Sequence, residues 1–95
     1  MGERINRLRD AVETAHQCKA NHIDSVPVRE MSGEALVWEG VVERFSLSGH
    51  REAHLCYAWS FQDGTKTRYV TILKLPPVES PQTAVRSAIA SKAQK

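Results

Sequence analysis

The strongest constraint in the chain is the run Ala53-His54-Leu55-Cys56-Tyr57-Ala58-Trp59-Ser60-Phe61. Leu55, Tyr57, Trp59 and Phe61 occupy alternate positions, with His54, Cys56, Ala58 and Ser60 between them. A period of two with this aromatic content predicts a strand, bulky on one face and small or polar on the other. Such a strand calls for a sheet with one packed face and one more open face.

Around it the chain reads as a simple succession. Residues 3 to 19 place Ile5, Leu8, Val12 and Ala15 on one helical stripe, with Asn21 as the expected stop. Residues 22 to 31 form a strand in which Pro27 cannot donate to a ladder, so an edge or bulged strand is expected. Ser32-Gly33-Glu34 is a turn. Residues 35 to 47 give the longest strand, interrupted by Gly40, where a bulge or a large neighbour is expected. A loop from Ser46 to Glu52 leads to the aromatic strand. Asp63-Gly64 then predicts a two-residue hairpin turn, followed by a last strand from Lys66 to Leu75. Pro76-Pro77 ends that strand, and Ser80-Pro81 caps a second helix.

The order is helix, four strands, helix. Short connections favour an antiparallel meander. The expected fold class is α+β: a two-layer sandwich with both helices on one face of the sheet. Ninety-five residues suffice for one modest core, so residues 1–95 make a single domain.

Composition narrows the function classes. A formal net charge of +2 is too small to argue for nucleic acid. Two cysteines are too few for a disulfide framework. No apolar run approaches the roughly 18 residues of a membrane span. Met1-Gly2 opens like a myristoylation site, but Asn6 stands where Ser or Thr is expected. A cytoplasmic protein with free thiols and no membrane partner is the expectation.

A turn at Asp63-Gly64 sets Tyr57 against Val70 and Leu55 against Ile72. A tight turn near Ser48-Gly49 sets Trp38 against Trp59, Gly40 against Tyr57 and Val42 against Leu55. The helix-covered core is then Trp38, Val42, Leu55, Tyr57, Trp59, Val70 and Ile72. The opposite face collects Glu39, Val41, Glu43, Phe45, His54, Cys56, Tyr69 and Thr71, the candidate ligand or interface face, with Val37, Ala58 and Leu73 beside them. Apolar and ionisable groups mixed in this way suit a ligand or self-association surface.

In that register Glu43 faces His54, and Cys56 lies two residues on, about 7 Å along the strand. A Cys-His-Glu site would use Glu43 to orient His54 and His54 to activate Cys56. No oxyanion hole or nucleophile elbow accompanies it, so a cross-strand ion pair and a small buried thiol are the favoured reading. His16, Cys18 and His22, with His50, His54 and Cys56 later, lack the paired short spacing of a zinc site, and no metal or cofactor is expected. Glu39 and Glu43 stand about 13 Å apart, too far for a glycosidase pair. Trp59 opposite Arg68 reads as a cation–π contact at the core rim. Arg4, Arg7, Lys92 and Lys95 read as solvated helix positions.

The run Val37-Trp38-Glu39-Gly40-Val41-Val42-Glu43, with Leu47, Gly49-His50, Cys56-Tyr57-Ala58-Trp59-Ser60, Pro76-Pro77-Val78 and Ser80-Pro81, resembles a group of short bacterial proteins. The resemblance spans roughly residues 20 to 90 and implies no activity. The element order is also similar to that of the double-stranded RNA-binding domain, whose second helix opens with phosphate-gripping lysines. Here that start reads Ser80-Pro81-Gln82-Thr83-Ala84-Val85-Arg86, without the lysines and after an extra strand, so the similarity is architectural. The expected function is a small non-enzymatic binding or protein-interaction module using its open sheet face. Its partner is a second copy, another protein or a small molecule. A Cys-His-Glu enzyme and an RNA-binding module are the alternatives.

Overall fold

The computed structural model describes residues 2–93, with side chains as far as Ala90. Met1 and Lys95, and the side chains of Lys92 and Ala93, lie outside the described residues. The elements are α1 (Gly2–His16), β1 (Lys19–Ser32), β2 (Ala35–Ser48), β3 (Leu55–Asp63), β4 (Lys66–Leu73) and α2 (Pro81–Ala93). The strands form one antiparallel α+β sheet in the order β1-β2-β3-β4.

Each helix is bounded by local chemistry. Gln17 takes φ 53° after α1, and its N–H donates to the Glu13 carbonyl at 2.8 Å. That left-handed residue ends the helix sooner than the expected stop at Asn21. The Glu13 carboxylate then accepts the Ala20 N–H at 2.9 Å, so the chain enters β1 at once. At α2, the Ser80 hydroxyl accepts the Thr83 N–H at 3.2 Å, and the Thr83 hydroxyl accepts the Ser80 N–H at 2.9 Å. This reciprocal cap with Pro81 in the first turn is the start expected from the sequence.

The two outer hairpins turn on glycine. Ser32 pairs with Ala35 around Gly33, and Asp63 pairs with Lys66 around Gly64. Both glycines have positive φ, 62° and 67°, at the first central position, as a type II′ turn requires. The second turn is therefore Gly64-Thr65, one residue later than expected, and Tyr57 faces Ile72. The β2–β3 register also differs: Glu43 lies opposite Ala58, and Ser46 opposite Leu55. The second shift is four residues and the first is two. Both are even, so neither shift moves a side chain to the other face.

The placement of the helices is a correction. They cover opposite faces of the sheet, giving helix, sheet and helix layers in place of two. Ala84 and Val85 of α2 join Val28, Val42, Tyr57 and Trp59 in one cluster. Leu8 and Val12 of α1 join Ala20, Phe45, Cys56 and Ala58 in another. Neighbours along a strand point to opposite faces, so these clusters lie on either side of the sheet. The physical reason is that both faces are apolar, and each helix buries its stripe against one of them.

β2 and β3 pair only between Glu43–Ser46 and Leu55–Ala58. Beyond that base they run as two separate hairpin arms. Trp38 and Trp59 meet edge to face between the arms, with ring centroids 5.7 Å apart. Gly40 makes this possible, because a Cβ there would stand 2.9 Å from the Trp38 ring. The glycine makes room for Trp38 of its own strand and not, as expected, for Tyr57.

Candidate functional site

β1 is an edge strand and is bulged, as Pro27 predicts. The register slips between His22 and Asp24, leaving Ile23 unpaired. Residues 22 and 25 of a regular strand would face opposite sides. The extra residue puts both on the α1 side, where His22 pairs with Phe45 and Ser25 with Glu43.

Both side chains converge on the fully buried Glu43. His22 Nε2 lies 2.7 Å and Ser25 Oγ 2.5 Å from Oε1, while Arg4 of α1 donates to Oε2 at 2.7 Å. Burial pushes the Glu43 carboxyl up, but donation from Ser25, Arg4 and His22 outweighs it and holds the group below its ordinary range. The serine and the histidine bind the same carboxylate oxygen. A nucleophile relay would need the serine on the histidine and the carboxylate behind it. The cluster is a lock that ties α1 to the bulge.

The expected Cys-His-Glu arrangement is not formed. The four-residue register shift puts Ala58, not His54, opposite Glu43. His54 precedes β3 and is exposed, while its carbonyl accepts the Leu47 N–H at 2.8 Å. Cys56 is buried, and burial pushes its thiol up to about 12, far from a reactive thiolate. Trp59 faces Val70, and Arg68 donates to Asp63 at 3.1 Å, so the expected Trp59–Arg68 contact is also absent.

The other expected face residues divide by depth along the sheet. Phe45 and Cys56 are buried under α1, and Thr71 is half-buried with its hydroxyl 3.0 Å from His16 Nε2. Glu39, Val41 and Tyr69 lie beyond the strip that α1 covers and are exposed, with Glu39 accepting from Arg29 at 2.8 Å. A second bulge, at Val37, pairs Leu36 with Met31 and so turns Leu36 onto this same face. Met31, Leu36, Val37, Val41 and Tyr69 form an uncovered apolar end between 38% and 52% exposed.

A third feature joins two histidines that the sequence offers only as metal ligands. His16 and His50 meet edge to face at 6.2 Å. They line an open bowl of about 570 Å³ with Gln17, Arg51 and Glu52. His50 Nδ1 accepts the N–H groups of Glu52 and Ala53, at 3.1 and 3.0 Å, and so shapes the β2–β3 loop. Burial, then the neighbouring His50, pushes His16 below its ordinary value. No group of three or more metal-binding side chains occurs among the described residues.

No family model, curated protein or solved structure matches the chain. Among the described residues no helix is long and apolar enough to cross a membrane.

Proposed function

We propose that this chain is a small non-enzymatic protein-interaction module, and that its partner is a second copy of itself. The observation that carries the reading is the uncovered sheet end, where Met31, Leu36, Val41 and Tyr69 share one face outside the strip covered by α1, with the exposed bulge residue Val37 beside them. Large apolar groups gathered on one exposed surface favour a partner that removes them from water. Twofold association is the commonest way for a chain to cover such a surface with itself. The buried Cys56 thiol and the engagement of His22 and Ser25 by Glu43 do not favour the Cys-His-Glu alternative.

Sedimentation equilibrium of the full chain over a dilution series tests this reading. A dimer at micromolar concentration, dissociating on dilution, is the expected result. A monomer across the whole series overturns it.

A further inference from the structure

The geometry points to β4 as the seam of this association: two copies pair their β4 strands antiparallel about a twofold axis at Tyr69, forming one continuous sheet. The inference rests on the self-association proposed above but places it at the sheet edge beside Tyr69, a seam that does not itself cover Met31, Leu36, Val37 or Val41.

The sheet has two edges, and they are unequally guarded. β1 carries Pro27, which has no N–H, and a bulge at Ile23. The Arg29 carbonyl of β1 accepts from Gln82 of α2 at 3.0 Å. Proline, bulges, charged side chains and a covering helix are among the devices that keep a sheet edge from pairing. β4 has no Pro, Gly or bulge from Lys66 to Leu73 and no charge from Tyr69 to Leu73, although Lys66, Arg68 and Lys74 flank that stretch and α1 reaches its face at Thr71. It has no strand on its outer side.

The hydrogen-bond phase shows which groups that edge presents. Lys74 N–H donates to the Leu55 carbonyl at 2.9 Å, one step beyond the Cys56–Leu73 pair. In an antiparallel ladder the bonded positions alternate. Lys66, Arg68, Val70 and Ile72 therefore turn their main-chain groups toward β3. Thr67, Tyr69 and Thr71 turn theirs outward.

Those three residues are symmetric about Tyr69. Pairing Tyr69 with its own copy sets each Thr67 against the other copy's Thr71, and every pair exchanges N–H and C=O groups in both directions. β4 is basic, with Lys66 and Arg68 and no acidic residue. In this register Arg68 falls opposite the second copy's Val70 and Lys66 opposite its Ile72, so no like charges are directly opposed. Lys74 reaches the level of the second copy's Gly64, beside its Asp63. The two Tyr69 rings, each 38% exposed, face one another across the axis.

The test combines sedimentation of variants with residue-resolved amide exchange of the wild type. Tyr69→Lys places two ammonium groups directly opposite and is expected to weaken the dimer at least about tenfold. Thr67→Pro removes an outward N–H and keeps the β3–β4 main-chain bonds, losing only the Gln62–Thr67 side-chain bond between those strands, and is expected to do the same. Val41→Glu lies two strands away and is expected to leave the association within about threefold. At dimer concentrations the amides of Thr67, Tyr69 and Thr71 gain protection that they lose on dilution. Should Thr67→Pro unfold the chain, Tyr69→Lys and the amide pattern decide alone. A dimer broken by Val41→Glu but not by Tyr69→Lys, without protection at the three amides, overturns the seam and leaves self-association standing. A dimer that neither variant weakens also overturns the seam. A monomeric wild type overturns both.

Discussion

At the base of the sheet Phe45, Cys56 and Ala58 are fully buried beneath α1, whereas Val41 and Tyr69 on the same face, with the bulge residue Val37 beside them, stay 42%, 38% and 46% exposed at the tips. Apolar content alone does not separate the two regions. Reach does. Glu43, Ala58 and Thr71 form one row across the sheet, and α1 covers a strip roughly 10 Å wide along it, while the 14 residues of β2 extend roughly 45 Å at ideal strand rise. The helix also crosses the sheet, from Arg4 over Glu43 on β2 to His16 over Thr71 on β4. A single short helix laid across long strands leaves one end of them bare. The other face shows the contrast, since α2 and the Trp38–Trp59 contact close much of the space between the arms.

The comparison predicts unequal costs for similar changes. Phe45→Ala should cost about 3–5 kcal/mol of stability in thermal or denaturant unfolding, because it opens a cavity beneath α1. Val37→Ala should change stability by no more than about 0.5 kcal/mol, because its surroundings are largely water. Equal costs would mean that the tips are as well packed as the base.

The Glu43 lock sharpens the contrast. Glu43→Gln keeps the shape but weakens three charge-assisted hydrogen bonds, and should cost about 1–3 kcal/mol. The pH dependence has a definite sign. Glu43 titrates below its ordinary value of 4.5 in the folded protein, so its contribution is present above that value. It is lost as pH falls through the lowered one. His16 also titrates low, so the unfolded chain binds its proton first. Stability therefore rises with pH between the lowered value and the ordinary 6.5. Chemical denaturation at a series of pH values should give a decline below pH 6.5 that steepens in the carboxylate range. Glu43→Gln should flatten the second part only.

Much of the base could be read in advance. The alternation from Leu55 to Phe61 placed Tyr57 and Trp59 in a core. Pro27 marked β1 as an edge, Gly33 and Gly64 marked the turns, and Ser80-Pro81 opened α2. Register errors of two and four residues cost nothing in face assignment because side chains alternate with period two. The helix placement was not legible, since both sheet faces are apolar and local pattern does not say which helix takes which. The lock was hidden for another reason. Arg4, His22 and Ser25 come from distant segments, and a bulge without a local glycine brings the last two together. His54 shares the period of Cys56 but precedes the first ladder residue of β3, so alternation alone misplaced it.

The most direct test of the central claim is a set of nuclear Overhauser contacts from the methyl groups of the two helices. The account predicts contacts from Leu8 and Val12 to the Phe45 ring, from Val85 to the Tyr57 and Trp59 rings, and none from α1 to Val37 or Val41. Contacts from both helices to Tyr57 and Trp59, with Phe45 untouched, would put the helices on one face and contradict it.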